Sequence, residues 1–420
     1  MKKIKIWIAP AAALTLTAAL LLSGCGASAG AQNTNALSTA AAVSASTGIT
    51  AASTAAVSAA ESELFTARDL AQTADLSEAK TITVSDGETT TVTEAGVYVL
   101  TGSAENACVV VQAGDEDKVQ LVLDGVSIVN AHGPCILVEN ADKVFLTSAE
   151  GSENVLTVSG KFTADEDAAV YSRDDLVLGG LGKTTVSSTG DGIRTNDELK
   201  LTGGAWIVSA ADTALKAHEG IYAADGAYEL TAGSDGLHAE DNGDDTAGCI
   251  VIEGGSFSVQ AGDDGVHATT SVTVSGGGLD ITAAEGIEAT QVLISGGTIR
   301  IEASDDGVNA GKKSASLAVK IEITGGELTI VMGAGDTDGI DSNGDLIITG
   351  GVIDITGQSP FDYDGSCSYT GGTIIVNGTE TNSVTNQFMG GGMAGAPGGF
   401  GGMPGGQTGG QPGGFGGKRP

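Results

Sequence analysis

The sequence predicts an all-β solenoid, a parallel β-helix with about 21–23 residues per coil. Three observations carry this. An acidic phrase of the form Asp-Gly-apolar-x-small recurs, Gly-Gly pairs recur in phase with it, and short alternating runs flank each pair. The phrase begins at Asp191, Asp235, Asp264, Glu285, Asp306 and Asp338, in steps of 44, 29, 21, 21 and 32 residues. The step of 44 halves at Thr213, where "TALKA" keeps the frame without the acid. The steps of 29 and 32 carry insertions, "EDNGDDTAG" near 240 and "GKKSASLAV" near 311. "AAVYS" from Ala168 and "SPFDY" from Ser359 extend the frame at both ends.

The Gly-Gly pairs begin at Gly203, Gly254, Gly276, Gly296, Gly325, Gly350 and Gly371. Runs such as "IVIE", "VLIS" and "IEIT" precede them, and "SFSVQA", "TIRIEA" and "ELTIV" follow. Period-2 alternation rich in β-branched residues reads as strand, and glycine as the break between strands. The phrase itself supplies a third short strand, with its glycine (Gly307 in "SDDGVNA") making a turn. One such coil cannot bury its own apolar side, and stacked coils can. A β-sandwich is the rival, but it has no need of the same Gly-Gly and Asp-Gly in every turn.

The two ends stand apart from the repeat. Residues 1–24 read as a secretory signal, with basic "MKKIKIW", apolar "IAPAAALTLTAALLL" and the closing "LSGC". "LSGC" resembles the lipobox of bacterial lipoproteins, which implies cleavage before Cys25 and a lipid on its sulfur. The alternative is an ordinary signal peptide that ends in a Cys. Residues 25–79 are Ala/Ser/Thr-rich over most of their length and read as a tether. Residues 80–387 form the repeat domain, and 388–420 a Gly/Met/Pro-rich tail expected to be disordered. Cys108, Cys135, Cys249 and Cys367 have no zinc spacing and read as small core residues.

A formal net charge of -34 argues against nucleic acid and anionic lipid, and makes cations the natural partners. In the acidic phrase the apolar and small columns point inward, so the x column points outward. That column reads Tyr171, Arg194, Lys216, His238, His267, Glu288, Asn309, Asp341 and Asp362. The leading carboxylates would stack at ~4.8 Å. At that spacing two like charges repel by roughly 3 kcal/mol at an effective dielectric of 20. Bound cations or raised carboxyl pKa values would relieve this. Oxygen-only ligands outside the cell select Ca²⁺. The expected ligands are Asp191, Asp235, Asp263, Asp264, Glu285, Glu288, Asp305, Asp306, Asn309, Asp338 and Asp341. The alternative is a solvated acidic edge in which Asp-Gly is only turn chemistry. Tyr171, Arg194, Lys216, His238 and His267 are the expected glycan contacts. Trp206 falls in an apolar column and reads as core, while Tyr222 and Tyr228 stay open as stacking platforms.

The lipobox, the tether, the repeated "DDG[IV]xA" and "[ST]GG", the glycine-rich tail and the opening "GVYVLTGSAENACVVVQAGDEDKVQLVLDGVSI" together resemble a known family. It is that of clostridial cellulose- and acidic-sugar-binding β-helix lipoproteins, described as carbohydrate-binding domain-containing proteins. The resemblance implies a right-handed parallel β-helix, bound Ca²⁺, binding of cellulose and polygalacturonate-like glycans, and a fold like that of Ca²⁺-dependent pectate lyases. Three functions are weighed. The first is a non-catalytic cell-surface polysaccharide binder, monomeric, that meets the membrane only through its lipid. The second is a Ca²⁺-dependent polysaccharide lyase with Lys216 as base. The third is a structural cell-wall spacer or adhesin.

Overall fold

A computed structural model describes residues 64–386, apart from 242, 335 and 336. The proposed signal, Cys25, the tether up to residue 63 and the tail from 388 onward lie outside the described residues. Every regular element among the described residues is a strand. Strands from successive coils pair in parallel and in register. One antiparallel pair, Thr373–Val376 with Thr379–Thr381, closes the C-terminal end. The architecture is the expected parallel β-helix.

Each coil passes over three faces. The first face carries the Asp-Gly phrase, as in Asp191–Thr195, Leu215–Ala217, Leu237–Ala239 and Val308–Ala310. The second carries the strand before Gly-Gly, as in Cys249–Ile252 and Lys320–Ile323, and the third the strand after it, as in Ser256–Ala261 and Thr298–Ala303. In two coils the first and second faces run on as single strands, Asp264–Val274 and Glu285–Ile294, with a register shift between Ala268 and Ser271.

The interior columns follow the sequence frame. Ile193, Leu215, Leu237, Val266, Ile287, Val308 and Ile340 stack in register and are fully buried, as are Thr195, Ala217, Ala239, Ala268, Ala289, Ala310 and Ser342. Burying these apolar ladders supplies the main driving force, at roughly 25 cal/mol per Å². Trp206 is core, with its indole N–H donated to the Gly203 carbonyl at 3.0 Å. Tyr228 joins the same column and stacks on Phe257 at 4.8 Å between centroids, so it is packing and not a sugar platform. The four described cysteines are free; Cys135 is buried and the others are half-buried.

The two kinds of glycine have different reasons to be there. In the Gly-Gly pairs the second residue has a positive φ, +82° at Gly297, while a Cβ on Gly296 would sit 2.1 Å from the Ser275 carbonyl of the coil below. The glycine of the acidic phrase stands at a bend in some coils, as read for Gly307, and inside a strand in others, as at Gly286. It lies within the inward wall, where a Cβ on Gly286 would meet the Gly307 carbonyl at 2.3 Å and Ile301 Cγ2 at 2.5 Å. The first face approaches the third so closely that only hydrogen fits.

The folded body also begins before residue 80. Phe65 and Asp69 are buried. Asp69 lies 3.6 Å from Lys143 and 3.7 Å from Lys200, and Gln72 bridges the Thr202 carbonyl and the Gly180 amide. Composition missed this segment because its contacts reach more than 100 residues away in sequence.

Candidate functional site: a graded ladder of charge

The x column forms one continuous outward ladder. Pairing runs Tyr171–Arg194–Lys216–His238–His267–Glu288–Asn309–Asp341–Asp362, each residue beside the next. Cross-strand neighbours about 4.8 Å apart interact strongly. The order of types along the ladder therefore sets the electrostatics of the whole face.

Alongside it, the leading carboxylates tie the coils together. Asp191 Oδ1 accepts from the Thr213 amide at 3.1 Å, Asp235 Oδ1 from the Asp264 amide at 3.0 Å, and Asp306 Oδ1 from the Asp338 amide at 3.0 Å. Thr213, which lacks the acid, is thus still held by the carboxylate of the previous coil. Asp191, Asp235 and Asp264 are buried, while Glu285, Asp306 and Asp338 are half-buried and Asp263 and Asp305 exposed. The solvated edge is not what forms.

Over its first half, the ladder carries its own cations. Asp191 Oδ2 lies 3.6 Å from both Arg194 and Lys216. Burial pushes its carboxyl up while Lys216 pulls it down, with a net rise. Asp235 Oδ2 is 2.6 Å from His238 Nδ1, and Asp264 Oδ2 is 2.6 Å from His267 Nδ1. Burial opposes the charged form of Asp235, but the hydrogen bonds from His238 and the Asp264 amide outweigh it and hold the carboxyl low. Glu288 lies 3.0 Å from His267 and 2.6 Å from Lys313. Burial would depress the His267 imidazole, but its hydrogen bonds to Asp264 and Glu288 raise it to about 10. Among the expected metal ligands, Asp191, Asp264 and Glu288 therefore already face cationic side chains, and Asp235 is held by hydrogen bonds from His238 and the Asp264 amide. Their repulsion does not call for Ca²⁺.

The second half is different. Asn309, Asp341 and Asp362 continue the ladder with no cationic type. Among the described residues, no ion pair brings a cation to Asp306, Asp341 or Asp362. Burial, then the carboxylates of Asp306, Asp362 and Asp338, push Asp341 up to about 7. Burial together with Asp305 and Asp338 raises Asp306 to about 6. Half-buried Glu285, desolvated and beside Glu288 and Asp264, rises to about 7 even though Asn309 donates to it at 3.0 Å. Asn309 Oδ1 and Asp362 Oδ1 are buried oxygens with no hydrogen-bond partner. Oxygens of this kind, gathered beside strained carboxyls, are the donor set of a hard cation.

The expected glycan contacts fare unevenly. Tyr171 is only 7 % exposed. The Arg194 guanidinium lies 5.4 Å from its ring centroid, and its hydroxyl donates to Asn196 Oδ1 at 3.3 Å. Tyr171 is thus packing under Arg194, not an open platform. Arg194 and Lys216 each lie 3.6 Å from Asp191 as its ion-pair partners. His238 and His267 line an open cleft of about 540 Å³ with Asp235, Glu240, Glu285 and Lys313.

Lys313 and Glu240 were not anticipated. Both belong to or border the insertions, which meet where the Ala315 amide donates to Asp245 Oδ2 at 2.7 Å. The Thr290 hydroxyl accepts from the Lys313 and Ser314 amides and so aims Lys313 at the ladder. The one available signal was a pair of lysines in an insertion of a strongly acidic chain.

Comparison with known proteins adds the family. A protein of Acetivibrio thermocellus described as a carbohydrate-binding domain-containing protein is 38% identical over 126 residues, which is 28% of this chain and 44% of that relative. The match thus spans less than half of the relative's length. A solved structure, the polysaccharide lyase-like protein from C. thermocellum as a gadolinium derivative, is 28% identical at a TM-score of 0.47, covering 53% of this chain and 96% of that one. The model of the carbohydrate-binding domain-containing protein family matches residues 86–337, more than half of the chain and the ladder from Tyr171 to Asn309, and the chain belongs to that family.

Proposed function

We propose that this chain is a non-catalytic polysaccharide-binding protein of the bacterial cell surface. In this reading its acidic end takes up Ca²⁺ and bridges through it to acidic, polygalacturonate-like plant cell-wall glycans, with cellulose as a neutral ligand. The observation that carries the calcium reading is the cation-free half of the ladder, where Asn309 Oδ1 and Asp362 Oδ1 are buried without partners. Asp306, Asn309, Asp338, Asp341 and Asp362 are the proposed ligands. Glu285 and Asp305 lie beside Asp306 as further carboxylates. A polyanionic glycan is repelled by a chain of charge -34 unless a divalent ion sits between the two sets of carboxylates. Lipidation at Cys25 would hold the domain outside the cell.

Affinity electrophoresis in polygalacturonate and pull-down on cellulose, each with Ca²⁺ and with chelator, test this reading. Retention by polygalacturonate should need Ca²⁺ and should fall in Asp306→Asn and Asp341→Asn. Equal retention in chelator overturns the bridging, and retention by neither polysaccharide overturns the binding. Release of unsaturated product from polygalacturonate with Ca²⁺, lost in Lys216→Ala, would overturn the non-catalytic part. Loss of membrane fractionation in Cys25→Ala checks the anchor.

A further inference from the structure

We propose that Asp264, His267 and Glu288 form a binding site for a first-row divalent transition-metal ion of the Zn²⁺ class, separate from the Ca²⁺ positions. The inference does not depend on carbohydrate binding. The three donor atoms, His267 Nδ1, Asp264 Oδ2 and Glu288 Oε2, all lie within 4.8 Å of one another. Nδ1 is 2.6 Å from Asp264 and 3.0 Å from Glu288. The fold produces this convergence twice over. Asp264 and His267 stand three residues apart in one coil, and His267 is in register with Glu288 in the next. Both carboxylates are more than nine-tenths buried, at 5% and 7% exposure, so the positions are fixed by packing. His238 stacks on the His267 ring at 4.7 Å and 6° and fixes its plane.

The donor set selects the ion. Imidazole nitrogen suits Zn²⁺ and its first-row neighbours, whereas Ca²⁺ takes oxygen. One imidazole and two carboxylates make three protein ligands. The cleft in front leaves room for water at the remaining positions, as in open zinc sites. Two carboxylates aimed at one ring nitrogen favour positive charge at that point. A proton supplies it in the metal-free protein, and a divalent ion displaces that proton. Metal–ligand bonds of about 2.0–2.2 Å need the donors to part by less than about 1 Å. The cleft also holds Asp235, Glu240 and Glu285, whose negative field draws cations in.

The test is calorimetric titration of ZnCl₂ into the full chain, stripped with chelator and then held in millimolar Ca²⁺. One Zn²⁺ per chain is expected, with affinity insensitive to Ca²⁺. His267→Gln and Glu288→Gln should each weaken it about tenfold or more, and His238→Gln much less. Absence of Zn²⁺ uptake by the wild type, wild-type affinity in His267→Gln, or displacement of Zn²⁺ by Ca²⁺ at comparable concentration overturns the site. Urea midpoints identify a variant that has failed to fold. In that event the wild-type competition between Zn²⁺ and Ca²⁺ decides.

Discussion

The imidazoles of His238 and His267 lie face to face, 4.7 Å between centroids and 6° from parallel, each with Nδ1 bound at 2.6 Å to the aspartate three residues before it. The pair marks the point where the ladder changes from basic to acidic. On one side Arg194 and Lys216 compensate Asp191, and on the other Asp341 and Asp362 extend the negative charge.

The first prediction concerns His267 in metal-free protein. Its folded pKa is raised from the ordinary 6.5 to about 10. A raised cation stabilises fully below its unfolded pKa and loses that contribution as pH rises through the folded one. In chelator, the Tm advantage of wild type over His267→Gln should be largest near pH 6 and shrink between pH 6.5 and 10. A difference that stays constant across this window would show that His267 packs without titrating.

A second prediction separates the acidic end. Asp341, at about 7 when folded against an ordinary 3.8, contributes stability below pH 4 that is lost as pH rises through about 7. Asp341→Asn should therefore raise the Tm of chelated protein at pH 8 and leave it little changed at pH 4. Added Ca²⁺ should reverse the order, stabilising wild type more than the variant. Thermal unfolding at both pH values, with and without Ca²⁺, checks both signs.

The inward glycines give a third. Gly286→Ala places a methyl 2.3 Å from the Gly307 carbonyl and 2.5 Å from Ile301 Cγ2. Overpacking of this kind costs about 1–3 kcal/mol. Gly278→Ala has nothing within 4 Å of the new methyl and should be close to neutral. Urea denaturation of the two variants reads the contrast.

Tyr171 provides the fourth. Because Arg194 covers its ring, Tyr171→Ala should cost about 3 kcal/mol of stability. Tyr171→Phe loses only the hydroxyl's bond to Asn196, about 1 kcal/mol or less. Polygalacturonate retention should be unchanged in Tyr171→Phe, and a loss there would return the hydroxyl to the binding surface.

Much of the fold was legible because a solenoid repeats its instructions. The columns from Ile193 to Ile340 and from Thr195 to Ser342 could be aligned by eye, and the register reproduces the alignment. Trp206 could be placed in the core because its column is otherwise apolar. The outward column was legible in membership but not in chemistry. The leading carboxylates beside it were read as cation ligands, with a solvated edge as the alternative, yet Asp191, Asp235 and Asp264 are buried and paired with side chains of the ladder itself.

What the sequence alone determined is the coil: its length, its inward and outward positions, and the order of residue types along the outward ladder. Local alternation and a fixed period suffice for that, because each coil contacts only its neighbours. The tertiary structure decided which charges cancel. Lys313 reaches Glu288 from an insertion outside the repeat, and His267 meets a glutamate 21 residues away only because coils stack in register. It also decided why the phrase needs glycine, since the gap between the first and third faces exists only once the coil has closed. Charge pairing and close approach are distances in space, and a period in sequence does not specify them.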